Sequence, residues 1–349
     1  MSAITAWRGS GLQNELTHGF HPRIAAMNPQ TIQSLLSLVP AGGGVKDIFC
    51  GAGAVGIEVL RDGREFSGVD ISGLAVGIAR AQTWLPAADE LALFRGLTVE
   101  AVAFAAEGEA TQADPSALDI AGLREFLLRV APPAPSLVLN ALLFVLSYVE
   151  HDVFPTWRRF HPLSHRFEKV AARYSAKLGE LRSAVPAGTK AAEIHLGDAQ
   201  RLSASLSAPS LAGVVTSPPY PGVYDYVETD VLQCTAGLAE LAGDLGAAEE
   251  IGSKKQREEL SEDGFRGRWQ AQTVAWLAAC EAELRVGGRI AMLIGDNAGI
   301  DSKASVEEAI RGSSLELVAS ATVGEDARRP WAKHKRNYRI EHTILLEKR

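Results

Sequence analysis

The chain has 349 residues, 46% of them apolar, and a formal net charge of −7, a composition that supports one large core and excludes an intrinsically disordered protein. No apolar run reaches the roughly 18 residues that a bilayer-spanning helix needs, and the N-terminus lacks the charged-then-apolar pattern of a signal peptide, so we expect a cytoplasmic protein. The three cysteines are Cys50, Cys234 and Cys280. Their spacing does not match that of metal ligands or of a disulfide framework, so the sequence predicts no bound metal.

The first elements predicted from the sequence alternate between strand and helix. A short β-like run at residues 45–49 precedes the glycine-rich stretch Gly51-Ala52-Gly53-Ala54-Val55-Gly56, and a helical pattern follows. A second predicted strand, residues 65–69, ends at Asp70, and residues 71–84 are predicted to be helical. The order of strand, glycine loop and helix is typical of a Rossmann-like sheet.

A helical pattern rich in Ala and Leu then interrupts the alternation between residues 85 and 190. Its second part, residues 151–190, holds eight Lys or Arg residues against three acidic residues. Aromatic residues lie among them, as expected where a protein contacts phosphates and unstacked bases: Trp157, Phe160, Phe167 and Tyr174. We interpret residues 85–190 as a helical insertion and a candidate target-recognition region, with Arg158 and Arg159 as candidate substrate-binding residues.

The alternation resumes with predicted strands at residues 192–196 and 213–216, the second of which runs into Thr216-Ser217-Pro218-Pro219-Tyr220. An irregular helical excursion at 232–267 and a helix at 269–284 follow. Three more predicted strands, residues 289–294, 315–323 and 340–346, bring the total to seven. Residues 328–349 form a second basic stretch, with eight Lys or Arg against two acidic residues, and make Lys333 a candidate substrate-binding residue.

We therefore predict one α/β domain that carries an insertion. Residues 1–84 form an N-terminal segment and the cofactor-binding half, and residues 85–190 form the insertion. Residues 191–349 form the catalytic half, which includes the excursion at 232–267.

The glycine-rich loop predicts a nucleotide-type cofactor, and the acidic residues around it favour S-adenosylmethionine over a dinucleotide. The run D-x-F-x-G-x-G, from Asp47 through Phe49 to Gly53, places an acid where a cationic amino group can be bound, which a pyrophosphate would not favour. Asp70 ends the second strand at the position expected for an acid that binds ribose hydroxyls. Asp198 follows the third strand, where it could accept from an adenine amino group or cap a helix. The candidate cofactor-binding residues are Asp47, Phe49, Gly51, Gly53, Asp70, Ile71, Asp198 and Ala199.

The loop Ser217-Pro218-Pro219-Tyr220 predicts chemistry on an exocyclic amino group. Such a nitrogen is a poor nucleophile, so a catalyst must hold its hydrogens while it becomes tetrahedral. Ser217 offers a hydroxyl oxygen and Pro218 a carbonyl that the two proline rings orient in advance. Tyr220 supplies a flat face for a flipped base. We name Ser217, Pro218, Pro219 and Tyr220 as candidate catalytic residues and expect Tyr224, Asp225 and Tyr226 in the same pocket, although Tyr226 fits a packing role equally well.

These motifs resemble those of the S-adenosylmethionine-dependent amino-methyltransferases of DNA, in particular the site-specific cytosine-N4 enzymes of restriction-modification systems. The resemblance covers nearly the whole chain, and the matching segments are D-I-F-C-G-A-G at 47–53, G-V-D at 68–70, G-D-A at 197–199, T-S-P-P-Y at 216–220, G-D-N at 295–297 and the closing R-I-E-H-T-I-L-L-E-K. Upstream, His18-Gly19-Phe20-His21-Pro22 and Asn28-Pro29 look like the family's segment that helps to cover the methionine part of the cofactor.

The resemblance implies a Rossmann-like class I methyltransferase fold, a seven-stranded, mostly parallel sheet with its last strand antiparallel. It implies a flipped base in double-stranded DNA and direct methyl transfer without a metal. Ile48 and residues 23–27 depart from the usual pattern. The serine of Ser-Pro-Pro-Tyr favours cytosine N4.

Adenine N6, in DNA or RNA, is the alternative substrate, and a non-catalytic nucleic-acid-binding protein with this fold is the alternative of another class. Cytosine-C5 chemistry is set aside because no cysteine stands where a nucleophile would be needed. A restriction or defence-system partner is left open.

Overall fold

The structure, a computed structural model, describes residues 15–18, 20, 27–111, 119–133, 136–150, 161–202, 211–225, 237, 250–297, 299–327 and 337–349. Its seven strands are β1 (Gly44–Asp47), β2 (Phe66–Asp70), β3 (Glu193–Leu196), β4 (Leu211–Thr216), β5 (Leu284–Gly295), β6 (Leu315–Ala327) and β7 (Asn337–Lys348). All seven strands predicted from the sequence are present. The structure extends β5, β6 and β7 at their ends.

The strands form one sheet in the order β3-β2-β1-β4-β5-β7-β6. The first five are mutually parallel, whereas β7 pairs antiparallel with both β5 and β6. This order, with the last strand inserted antiparallel between β5 and β6, is the Rossmann-like class I methyltransferase arrangement. The predicted fold class is confirmed.

The described helices are α1 (Pro29–Leu36), α2 (Ala54–Arg61), α3 (Gly73–Gln82), α4 (Ala88–Thr111), α5 (Ile120–Val130), α6 (Leu137–Glu150), α7 (Leu163–Ala184), α8 (Lys254–Glu259), α9 (Glu262–Glu283) and α10 (Ser302–Ala309). A short 3-10 helix spans Ala199–Arg201. Helix α9 begins seven residues before the predicted start, because Ser261 caps its first turn by accepting from the Gly264 N–H. Within the described part of the chain, no helix is both long enough and apolar enough to cross a bilayer.

The sheet is buried on both faces, because successive apolar side chains of its central strands point to opposite sides. Val215, Ala291 and Leu345 belong to one cluster, with side chains of α1, α2 and α3. Val214, Met292 and Ile344 point the other way, into a cluster with α9 and α10. Successive side chains of a strand face opposite sides of a sheet, so these apolar strands require helices on both faces.

Four helices, α4 to α7, occupy most of residues 85–190, and α6 and α7 contact α3 directly. Their apolar side chains form one cluster with Leu74, Ile78 and Trp84. Two buried hydrogen bonds tie them to α3, from Asn140 Nδ2 to the Gly77 carbonyl at 2.9 Å and from the Tyr174 hydroxyl to the Ala81 carbonyl at 2.7 Å. The helical layer therefore packs on the side of α3 that faces away from the sheet.

Candidate active site

A cleft lies at the carboxyl edge of the parallel strands, where β1, β2, β3 and β4 end. It encloses about 1060 Å³, counting the part open to solvent. Its walls bring together residues that are up to 224 positions apart in the sequence. The lining residues that the sequence singled out are Asp47, Phe49, Gly51, Asp70, Ile71, Asp198, Ala199, Ser217, Pro218, Pro219 and Tyr220.

Asp47, the last residue of β1, is buried and connects the glycine loop to the candidate catalytic loop, residues 217–220. Its Oδ1 accepts from the Thr216 hydroxyl at 2.6 Å and from the Phe49 N–H at 3.1 Å. Burial raises the pKa of this carboxyl from 3.8 to about 7; the Thr216 and Phe49 hydrogen bonds oppose the shift, and the nearby Asp70 adds to it. A cation bound in the cleft would offset this cost and favour the ionised carboxylate.

Asp70 is held by two backbone donors at the end of β2. Its Oδ2 accepts from the Gly51 N–H at 2.8 Å and its Oδ1 from the Ser72 N–H at 3.0 Å. The first bond fixes the glycine loop against β2. The Asp70 side chain also forms part of the wall of the cleft.

Asp198 has one of the two roles expected from its position, that of a helix cap. It caps the 3-10 helix, since its Oδ1 accepts from the Gln200 N–H at 2.9 Å. Its Oδ2 is buried and accepts no hydrogen bond from any described residue, although the exposed Arg201 lies 3.8 Å away. A buried carboxylate oxygen without a donor is costly, so it marks a place for a ligand N–H group.

The two predicted glycines of the loop serve different purposes. Gly51 (φ +49°) lines the cleft and a Cβ there would meet no atom within 4 Å. Gly53 (φ +83°) is absent from the described lining; it begins α2, and a Cβ on it would lie 3.0 Å from the Ala79 Cα. Gly53 is thus required for close packing of α2 on α3, while Gly51 leaves room in the cleft.

The candidate catalytic loop follows β4 directly, and all four of its residues line the cleft. Neither the Ser217 hydroxyl nor the Pro218 carbonyl is used by another described residue. The Tyr220 ring, 8% exposed, lies against Gly295, where a Cβ would come within 2.4 Å of it. Its hydroxyl donates to Glu341 Oε1 at 3.1 Å. Contacts with Gly295 and Glu341 therefore fix the position of Tyr220, and part of the residue forms the wall of the cleft.

The segments G-D-N and R-I-E-H support this loop from β5 and β7. Asn297 Nδ2 donates to the Pro221 carbonyl at 2.9 Å, and Glu341 accepts from Tyr220 as described. His342 Nε2 donates to Asp296 Oδ1 at 2.8 Å, which joins β7 to the end of β5. The sequence pattern of these two segments indicated no role for them, and in the structure they support Tyr220 and Pro221.

Tyr224 and Asp225, expected in the pocket, lie beside it and are absent from its described lining. The Lys254 N–H donates to the Tyr224 carbonyl at 3.1 Å, and the Lys255 N–H donates to Asp225 Oδ1 at 2.9 Å. They bind the start of α8, and with it the segment just before α8, to the residues that follow Tyr220. That segment supplies two lining residues that sequence reasoning missed, Glu250 and Ile251.

The N-terminal segment meets the cleft through Met27, which also was not singled out. Asn28 caps α1 by accepting from the Gln30 N–H at 2.8 Å, and Pro29 begins the helix. Upstream, His18 hydrogen-bonds the buried Glu58 of α2 at 2.8 Å. These contacts account for two features of the family-like N-terminal motif, Asn28-Pro29 and His18.

The described part of the first basic stretch does not form the predicted aromatic surface. Phe167 and Tyr174 are buried in the helical layer, and Arg166 is buried beside the Val149 carbonyl. Aromatic rings recurring at helical spacing here are core residues. Arg158, Arg159, Tyr226 and Lys333, the remaining candidate substrate-binding residues, lie outside the described residues.

Comparisons with known proteins give only distant similarity. The sequence matches no known family profile and no curated protein. Among solved structures, TrmN from Thermus thermophilus is 11% identical, covering 92% of this chain and 49% of TrmN, with a TM-score of 0.39. A TehB-like SAM-dependent methyltransferase from Corynebacterium glutamicum is 12% identical over 91% of this chain and 87% of its own length, with a TM-score of 0.33. A SAM-dependent methyltransferase from Methanosarcina mazei is 10% identical, over 90% of this chain and 96% of its own length, with a TM-score of 0.33. This chain spans about half the length of TrmN.

Proposed function

We propose that this protein is an S-adenosylmethionine-dependent methyltransferase that modifies an exocyclic amino group of a nucleobase, with N4 of a flipped cytosine in double-stranded DNA as the preferred target. One observation carries the proposal. The Ser217 hydroxyl and the Pro218 carbonyl, two acceptors that no described residue uses, share a cleft with Asp47, Asp70 and Asp198.

The three carboxylates suit the donors of S-adenosylmethionine. The buried Asp47 matches the cationic amino group, Asp70 the ribose hydroxyls, and the unused Asp198 Oδ2 an N–H of the adenine. A pyrophosphate would be repelled by the same set. When bound, the cofactor supplies an electrophilic methyl group.

The residues of the catalytic loop would position the nucleophile. A base rotated out of the duplex lies against Tyr220, whose ring is already held by Gly295 and Glu341. Its two amino hydrogens meet Ser217 Oγ and the Pro218 carbonyl, which draws the nitrogen toward tetrahedral geometry. Catalysis of this kind depends on positioning and on oriented hydrogen bonds, which a loop fixed at both ends can provide.

The choice of cytosine rests on the serine of the loop and on the family resemblance. A serine hydroxyl accepts from the amino group of either base, so adenine N6 is the alternative target. RNA is the alternative polymer for the same loop chemistry. We propose recognition of the target sequence by residues 85–190, which lie between β2 and β3.

Sequencing that detects modified bases, applied to host DNA with and without this protein, tests the substrate. N4-methylcytosine at one sequence motif supports the proposal; N6-methyladenine, or modified RNA only, favours the alternatives. Cofactor binding by calorimetry without transfer to either polymer favours a non-catalytic protein.

Ser217→Ala tests the role of the loop. We expect it to bind S-adenosylmethionine as the wild type does and to lose most methyl transfer, because one acceptor of the amino group is gone. Ser183→Ala, on an exposed position of α7, is the matched control and should retain full activity. Full activity in Ser217→Ala would contradict the assigned role.

A further inference from the structure

Arg257, an exposed residue of α8, packs its side chain against the backbone that follows the candidate catalytic loop. A Cβ on Gly222 would come within 2.5 Å of the Arg257 Cδ and 3.3 Å of its Cβ and Cγ, so the aliphatic stem lies directly on this glycine. Gly222 is buried, whereas Arg257 is exposed. Arginine commonly packs its stem on a surface while its charged head stays in water. The roles described above make no use of this head.

The contact with Gly222 places the guanidinium beside the cleft. Gly222 stands two residues after Tyr220, which lines the cleft, and two peptide steps span roughly 7 Å at most. The guanidinium group begins one bond beyond Cδ, the atom that lies against Gly222. A positive charge is therefore held next to the backbone that leads away from the Tyr220 ring.

Hydrogen bonds hold α8 in this position. The Gly222 N–H donates to the Gly252 carbonyl at 2.8 Å, and the Lys254 N–H donates to the Tyr224 carbonyl at 3.1 Å. The first bond lies before α8, and the second joins its first residue to the same stretch of backbone. Because the helix that carries Arg257 is already fixed, a ligand that binds the guanidinium has little chain to order.

The charge of Arg257 is not neutralised by an acid in the described part of the chain. Glu258, its neighbour in α8, pairs instead with Lys254 at 3.4 Å. The whole chain has a formal net charge of −7, so its overall field does not favour a polyanion. Affinity for a nucleic acid must then come from single cations placed where the phosphates pass.

A base that lies against Tyr220 remains joined to its strand, so the phosphates on either side of its nucleotide must lie near the mouth of the cleft. The planar guanidinium can donate two parallel N–H bonds to one phosphate, and such charged hydrogen bonds are stronger than neutral ones. Resting on the proposed function, we propose that the Arg257 guanidinium binds a phosphate next to the target nucleotide and holds the DNA strand while the base occupies the cleft.

Arg257→Met tests this inference, since methionine keeps an apolar stem over Gly222 and removes the charge. We measure binding of a fluorescent duplex that carries the sequenced motif, with saturating S-adenosylhomocysteine, between about 50 and 200 mM salt. We expect affinity to fall about tenfold at the lowest salt. The slope of log affinity against log salt concentration should become shallower by about 0.9, the value for one phosphate contact. Arg257→Lys should keep the wild-type slope.

Two controls separate a phosphate contact from general effects of charge and packing. Arg311→Met removes an exposed cation between α10 and β6, at the edge of the sheet opposite the cleft, and should leave affinity and slope unchanged. Calorimetry should give the same affinity for S-adenosylmethionine in Arg257→Met and wild type. Single-turnover transfer at saturating duplex should stay close to the wild-type rate, because Arg257 touches no reacting atom.

The outcomes distinguish this inference from the proposed function. If wild type methylates DNA and Arg257→Met keeps the wild-type affinity or salt slope, the inference alone is overturned, since any remaining loss would come from packing. Equal losses in Arg311→Met, or weaker cofactor binding in Arg257→Met, would also overturn it. If wild type methylates no DNA, the proposed function fails and this inference fails with it.

Discussion

At the scale of single residues, the ionised form of Asp47 that its proposed cofactor-binding role requires lowers the stability of the fold. Its pKa of about 7 in the folded protein lies above the 3.8 of an unperturbed aspartate. Between these values the folded state binds more protons than the unfolded state, so stability falls as pH rises from about 4 to 7. At about 1.4 kcal/mol for each pH unit, the ionised carboxylate costs up to about 4 kcal/mol at neutral pH.

We therefore predict that Asp47→Asn is more stable than wild type at pH 7.5 without cofactor. The asparagine oxygen can still accept from Thr216 and the Phe49 N–H, while the buried charge is gone. Thermal denaturation at pH 7.5 and pH 5 should show a gain that is largest at the higher pH. An equal gain at both values would contradict the raised pKa.

Affinity for S-adenosylmethionine should weaken as pH falls below 7 in wild type. Protonated Asp47 cannot pair with a cationic amino group, so binding at pH 6 must release a proton. Calorimetry in two buffers of different ionisation enthalpy measures that release directly. Asp47→Asn should bind weakly and release none; proton release that survives in this variant would assign it to another group.

Gly53→Ala should destabilise the protein by about 3 kcal/mol. The alanine must adopt a left-handed conformation and place its Cβ 3.0 Å from the Ala79 backbone. Gly51→Ala is the matched control, since it has the same strain without a clash and should cost about 1 kcal/mol. Denaturant unfolding of both variants gives the comparison. An equal loss of unfolding free energy in the two variants would show that the close contact of Gly53 with α3 does not contribute to stability.

At the scale of elements, the ends of the strands determine the site. β1, β2, β3 and β4 each place a residue of the cleft at or just beyond their carboxyl ends, while β5 and β7 support Tyr220 through Gly295 and Glu341. Sequence patterns located the cleft residues at the ends of β1 to β4, because each of them follows a recognisable strand. The support from β5 and β7 could not be deduced, since it depends on which side chains meet across a loop.

Gly295→Ala should misplace Tyr220 and impair methyl transfer while sparing the cofactor. The added Cβ would lie 2.4 Å from the Tyr220 ring, which must move and lose its bond to Glu341. Displacements of about 1 Å can cost roughly 10²-fold in rate, and we expect a loss of that order. Gly324→Ala in β6, with no atom within 4 Å, is the control. Unchanged transfer in Gly295→Ala would mean that the ring position is irrelevant.

At the scale of the whole molecule, helix α3 joins the helical layer to the sheet, because one side of α3 packs on each of them. Phe144 of α6 is fully buried, and the centroid of its ring lies 5.9 Å from that of Phe20 and 5.1 Å from that of Tyr174. The same cluster includes Leu74 and Ile78 of α3, the helix that covers the sheet. Unfolding of the layer would expose that face of α3, so the two parts are expected to unfold together.

Phe144→Ala should lower the free energy of unfolding by about 3 to 5 kcal/mol in a single transition. Far-ultraviolet circular dichroism and tryptophan fluorescence, followed in the same denaturant series, should give coincident curves. Val99→Ala on α4, at a site 70% exposed, is the control and should change little. Two separated transitions would instead identify residues 85–190 as an independent domain.

The sequence by itself determined the order of strands and helices and the seven-stranded sheet. It also determined that Asp47, Asp70 and Asp198 and the Ser-Pro-Pro-Tyr loop stand at the ends of strands. These are local signals, because glycine loops, strand-terminal acids and proline pairs constrain the backbone where they stand. Only the tertiary structure decided that Glu250, Ile251 and Met27 line the same cleft and that Phe167 and Tyr174 are core residues. Side-chain burial and contacts between distant segments depend on how the layers pack, and no local pattern of residues encodes them.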